Sequence, residues 1–295
     1  MTSPAAFLVL CRFGQDAAAT LLWGGAAYLW ALVPTGLSSS VTVRLSPWAS
    51  AAIAVAVITV AAKLPFEVAG IGNGWPDALD PAMVRSVLLE TSVGQAWMAQ
   101  AACALMLGTA VALPSRRRVG AVASGSGLLL ASLCLEGHAV MHEGWLGVLT
   151  RANDALHVLS GSVWVGSLVP VLVILAGSRD GRMSHAAAAA LRGFSRAGHA
   201  AVALVLLSGI LSTVLVLERW PIDLASPYQV LLDIKIACVL AMTVLAIVNR
   251  YVVVPRLTRD PAGVGRALRL GTLAEIPLGF AAIALVAVFG LMDPG

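Results

Sequence analysis

Long apolar runs recur along this chain, and few folds can accommodate them. A helix that crosses a bilayer needs about 20 mostly apolar residues. Eight segments reach that length, at about 15–37, 47–69, 83–112, 119–137, 151–176, 194–217, 227–254 and 268–291. The chain is 59% hydrophobic and 12% charged, whereas a soluble domain carries about 25% charged residues. A water-soluble shape of 295 residues cannot enclose that much apolar surface. The sequence therefore predicts an all-α integral membrane protein with eight transmembrane helices, each satisfying its own backbone groups. No soluble domain is left over, because the longest polar connections lie near 70–82, 177–193 and 255–267. The spans divide into an N-terminal four-helix half, 1–150, and a C-terminal four-helix half, 151–295. The N-terminus has no basic region followed by a cleavage site, so no removed signal peptide is expected.

Lysine and arginine set the orientation. Arg116, Arg117 and Arg118 follow the third span, and Arg179 and Arg182 follow the fifth, with Arg192 and Arg196 near the start of the sixth. Arg250, Arg256, Arg259, Arg266 and Arg269 lie between the seventh and eighth, and Arg44 lies after the first. The other side has only Arg12, Lys63, Arg85, Arg151 and Arg219, spread singly. The basic loops are therefore expected in the cytoplasm and both termini on the periplasmic or extracellular side. That outer side gathers Asp77, Asp80, Glu136, Glu143, Asp154, Glu218 and Asp223, and an acidic mouth attracts cations. The net charge of +4 resides in these loops and gives no nucleic-acid footprint. The four cysteines are scattered without a CxxC, so neither a disulfide framework nor a zinc ribbon is expected.

The fourth span runs into LEGHAVMHEGW, residues 135–145. If the helix persists, His138, Met141 and His142 fall at i, i+3 and i+4 and share one face. Imidazole with thioether suits copper, the thioether favouring Cu(I) and the imidazole taking Cu(I) or Cu(II). The short connection makes the fourth and fifth helices antiparallel neighbours. The fifth opens with Asp154 and His157, again i and i+3, at a depth similar to His138. Asp154 is expected to orient an imidazole, as carboxylates beside metal-ligating histidines do. The bland alternative is that these are ordinary polar residues at a helix end. His157 weighs most against that, since a polar ring inside a span is costly.

His199 enters the sixth span from the opposite face. It is either a second station for an ion or a ring bonded to a serine or a backbone oxygen. His157 and His199 differ in depth by more than ~10 Å on helical rise alone, which makes them a poor axial pair for a haem. Lys235 is expected to pair with Asp233 or Glu275, because ions inside a membrane are normally paired, and Glu90 has no evident partner. Ser160, Gly161, Ser162 and Gly166 make the fifth helix small on more than one side, which suits either close helix contact or room for an ion. No Walker loop, HExxH or GxSxG occurs, so neither an ATP-driven pump nor a hydrolase is expected, and no enzymatic activity is assigned.

The C-terminal half resembles the copper resistance protein D family, CopD. The stretch DALHVLSGSVWVGSLVPVL (154–172) is similar to that family's histidine-tryptophan-glycine helix. FSRAGHAAVALVLLSGIL (194–211) is similar to its Phe-Ser start with a later Ser-Gly. Tyr228, Lys235, Asn249, Arg250, Pro255 and Glu275 stand where that family has its markers, and Thr91, Gly94 and Trp97 extend the likeness more loosely to the first half. The resemblance implies an eight-helix inner-membrane protein that handles copper and serves copper homeostasis or resistance. Relatives often receive copper from a periplasmic CopC-type carrier, so the resemblance implies such a carrier as a candidate partner beside the membrane lipid, expected to be a separate protein because no fused CopC domain is expected. The expectation is a copper transporter, import favoured, with His138, Met141, His142, Asp154, His157 and His199 as its metal residues. The alternatives are a cytochrome b-type haem protein and a copper-binding membrane protein without transport.

Overall fold

The computed structural model describes residues 3–137, 141–177, 184–217, 223–258 and 261–294. Among the described residues no strand forms. α1 (Pro4–Ala31) opens on a proline, which the first turn tolerates because its N–H has no helical partner there. α2 (Thr35–Ile71) runs for 37 residues and carries Pro47 and Pro65 within it. At about 1.5 Å per residue it is roughly 55 Å long, well beyond the ~30 Å hydrocarbon layer.

The third apolar run, expected as one helix over 83–112, is two. α3 (Pro81–Glu90) is capped by the Asp80 carboxylate, which accepts from the Ala82 N–H at 2.9 Å. It stops at Thr91, whose backbone is extended (φ −114°, ψ 151°). The Thr91 hydroxyl accepts from the Gly94 N–H at 3.0 Å and donates to the Val87 carbonyl at 2.6 Å, starting α4 (Ser92–Thr109). A β carbon at Gly94 would overlap that same carbonyl, so glycine lets the corner close. α3 is too short to cross a bilayer, and Glu90 at its end accepts from the Ser86 hydroxyl at 2.8 Å.

α5 (Ser115–Ala131) tightens into a 3-10 turn through Leu135. α6 (Gly144–Ala176) begins about two turns earlier than expected, where Gly144 at φ +58° turns the chain into the helix. α7 (His185–Leu217) and α8 (Pro227–Val248) follow, and α8 continues through a π-helical turn, Asn249–Val253. α9 (Pro261–Phe289) is the last helix. Eight spans among the described residues are long and apolar enough to cross a membrane, as the hydropathy requires. Side chains such as Trp48, Leu105, Leu207 and Val244 point outward, where lipid would cover them.

α1 lies at the centre, packed on α2, α5, α6 and α9. It approaches α6 closely, backbone to backbone. A β carbon on Gly24 would overlap the Ser162 carbonyl, and one on Gly166 would overlap the Thr20 carbonyl. Small residues allow this approach in membranes, where packing and hydrogen bonds rather than water exclusion hold helices together. Thr20 and Ser162 join their hydroxyls at 2.9 Å, and Trp23 Nε1 donates to the Leu159 carbonyl at 3.1 Å. Ser162 and Gly166 meet α1, the close helix contact expected of the small residues of α6, while Gly161 lines a cavity. Gly166→Ala should cost about 1–3 kcal/mol by overpacking. Its thermal midpoint in detergent should fall, whereas Gly36→Ala, with open space around it, should melt as wild type. Equal midpoints for both variants would contradict the tight contact.

The helices alternate in direction, so two ends can be distinguished. At one, Arg12 Nη1 donates to the Gly290 carbonyl at 3.2 Å, and Lys63 meets Glu136. At the other, Arg118 Nη2 donates to Ser50 Oγ at 2.8 Å, and Arg250 donates to Ser195 Oγ. The second is the arginine-rich end.

Candidate functional site

A cavity of about 270 Å³ lies among α1, α6, α7, α8 and α9, nearer the Glu136 end. Its walls are largely apolar, including Val205, Val239, Met242 and Phe289. Set into them are Arg12 and Asp16 from α1, Glu136 beyond α5, Asp154 and His157 from α6, and Lys235 from α8. An apolar pocket with a few convergent polar groups is the usual form of a binding site, and ionisable groups inside a membrane are seldom retained without function.

His157 is the best defined of these groups. Its Nδ1 lies 2.9 Å from Ser208 Oγ on α7. The serine's single proton is committed elsewhere, to the Leu204 carbonyl one turn earlier. Ser208 therefore accepts, Nδ1 carries the imidazole proton, and Nε2 keeps its lone pair. Asn153, one turn before His157, donates to the Ser208 carbonyl at 3.0 Å and to Ser212 Oγ at 2.8 Å, pinning α6 to α7 beside the ring. Gly209 makes room for the ring, since a β carbon there would stand 3.2 Å from His157 Cε1.

Asp154 lines the same cavity, but Ser208 rather than Asp154 orients the imidazole, because Nδ1 is turned toward α7. The cations that act on Asp154 are Lys235 first and Arg12 second. Lys235 in turn responds to Asp154 and sits 5.7 Å above the Phe289 ring centre. The expected pairing of Lys235 with Asp233 or Glu275 is therefore corrected. Lys235 faces the cavity, and Glu275 lies elsewhere, held by Trp164 Nε1 and Asn249 Nδ2.

The helix expected to carry Met141 and His142 on one face does not reach them. The helix ends at Leu135, and Gly137 turns the chain at φ +66°. Met141 and His142 fall in a bend before α6, and His138 lies outside the described residues. Met141 is exposed, and His142 is half-buried with its Nδ1 lacking a partner among the described residues. His199 lies toward the arginine-rich end. Its Nδ1 is 2.5 Å from the Ser195 carbonyl and its Nε2 is 3.1 Å from Tyr251 Oη. It precedes Ser208 by nine residues on α7, about 13 Å along the axis. Among the described residues, no three His, Cys, Asp or Glu side chains form a metal-binding group.

Sequence reasoning missed a charged network beside the cavity. Lys63, 1% exposed, donates to both Glu136 oxygens at 2.6 and 2.7 Å and to Gln100 Oε1 at 3.2 Å. Burial raises the Glu136 pKa, but Lys63 and then Arg12 outweigh it, so the carboxyl is held below its ordinary value. Asp16, in the field of Arg12, Glu136, Lys63 and Asp154, has an Oδ1 without a partner among the described residues. Gln15 is 1% exposed, and neither of its amide atoms has a partner there. The available signal was Arg12 and Asp16 at i and i+4, hidden because the first span was expected to start at 15 rather than 4.

Residues 1–148 match the family description "Copper resistance protein D-like, N-terminal domain", and residues 188–289 match "Copper resistance protein D". The chain is 29% identical over 289 residues to the inner membrane protein YebZ of Escherichia coli (strain K12), covering 97% of this chain and 98% of YebZ. It is 29% identical over 268 residues to the copper transport protein CutJ of Bacillus subtilis (strain 168), covering 86% of this chain but only 47% of CutJ. Against copper resistance protein D of Pseudomonas syringae pv. tomato, identity is 27% over 259 residues, covering 83% and 82% respectively. No solved structure matches the chain.

Proposed function

The chain belongs to the copper resistance protein D family, and from that membership we propose that it carries copper across the bacterial inner membrane, inward to the cytoplasm. The observation that carries this is His157: a lone-pair nitrogen on a residue lining an intramembrane cavity, with Asp154 on the same wall. Neutral imidazole binds Cu(I) or Cu(II), and the carboxylate offsets the ion's charge. The names of CutJ and of the Pseudomonas relative support copper as the cargo.

The arginine-rich end faces the cytoplasm by the rule that basic loops stay inside, so the Glu136 end faces outward. His138, Met141 and His142 collect the ion there, delivered by a separate CopC-type carrier. The ion moves to His157 and Asp154 and leaves past His199. Lys235 lines the same cavity as Asp154, and its positive charge weakens the hold on the ion, as onward release requires. Purified protein in lipid vesicles tests this: copper should enter faster than into protein-free vesicles. Equal rates would overturn transport and leave a copper-binding membrane protein.

A further inference from the structure

One buried acid has no part in this path. Glu275 on α9 is 4% exposed. Its Oε2 accepts from Trp164 Nε1 at 3.3 Å and its Oε1 from Asn249 Nδ2 at 3.1 Å. Both donors are neutral. Among the described residues no ion pair joins it to the cations of the neighbouring helices, Arg12 on α1 and Lys235 on α8, or to Arg250 in the turn after α8, which donates to Ser195 instead. A carboxylate inside a span normally has a cationic partner. Among the described residues this one has none, so only the two neutral donors, or a proton or cation that comes and goes, can offset its charge.

The surroundings tie Glu275 to the cavity. Trp164 lines the cavity and also holds the carboxylate, so one indole joins the two. Gly279, one turn along α9 and about 6 Å away, lines the cavity as well. Asn249 is delivered by the π-helical turn that ends α8, and such turns recur at functional sites. Gly271 leaves space for the amide, since a β carbon there would overlap it. Two helices are thus shaped to bring a donor to this acid without bringing a charge.

We propose that Glu275 is a proton-exchange site, protonated when the cavity is empty and giving its proton to water when copper occupies the cavity. This rests on copper being the cargo. The arriving cation stabilises the carboxylate across the indole, and the departing proton keeps the buried charge constant. One positive charge enters and one leaves.

The test is proton release on anaerobic Cu(I) addition to purified protein in weak buffer, read with a pH dye, with bound copper measured in parallel. Glu275→Gln should bind copper but release about one proton fewer per ion than wild type, and Glu275→Asp should restore the release. Equal release from wild type and Glu275→Gln would overturn the proposal. Copper binding absent from wild type would overturn the copper function itself, and this proposal with it. Should Glu275→Gln fail to fold, the infrared difference spectrum of wild type decides. Copper should remove the carbonyl stretch of a buried protonated carboxylic acid, and its persistence would overturn the assignment.

Discussion

Vesicles containing His157→Ala should take up copper no faster than protein-free vesicles. His157 is held by Ser208 so that Nε2 keeps its lone pair, and alanine removes the donor while leaving α6 helical. The loss should be at least tenfold, and cells making the variant should lose their copper-dependent phenotype. Ser208→Ala should have a smaller effect. The ring stays but loses the acceptor that fixes its tautomer, and losing such a partner typically costs 10–100-fold in metal affinity or activity. Wild-type uptake by His157→Ala would remove His157 from the path.

The second large effect is on stability. Lys63→Met leaves Glu136 as a charge enclosed among helices, and breaking a buried pair costs about 3–5 kcal/mol. The double variant Lys63→Met, Glu136→Leu removes both charges and should recover most of that loss, because an apolar pair replaces a desolvated one. Thermal melting in detergent checks both. A single variant as stable as wild type would mean that water reaches the pair. The pH dependence follows from the lowered Glu136 pKa. A carboxyl with a depressed folded pKa adds stability that is complete above its unfolded value, about 4.3. That stability is lost as pH falls through the lower folded value. Lys63→Met should lack this acid-side loss.

The eight spans were legible because hydropathy over about 20 residues reports the bilayer directly. What was not legible was set by single residues. Thr91 splits the third run by capping a new helix with its hydroxyl, and a hydropathy window cannot see one cap. Gly137 and Gly144 turn the chain through positive φ, so Met141 and His142 fall in a bend rather than on a continued helix. His157, which lines the cavity, was singled out in the sequence because a histidine inside an apolar run is rare. Its partner Ser208 was not, because it stands 51 positions away on another helix. The Lys63–Glu136–Gln100 network was missed for the same reason: two helices, α2 and α4, and the turn after α5 supply it, and each residue looks isolated on its own. The His199 ring is bonded to a backbone oxygen, one of the two alternatives weighed for it. With both ring nitrogens engaged and about 13 Å between the levels, it makes no haem pair with His157.

The most direct measurement is an anaerobic Cu(I) titration of the purified protein against a chromogenic chelator, wild type beside His157→Ala. If copper is held in the cavity by His157, wild type should take copper from the chelator, and the variant should need at least ten times more free Cu(I) to do so. Identical curves would contradict a copper site at His157.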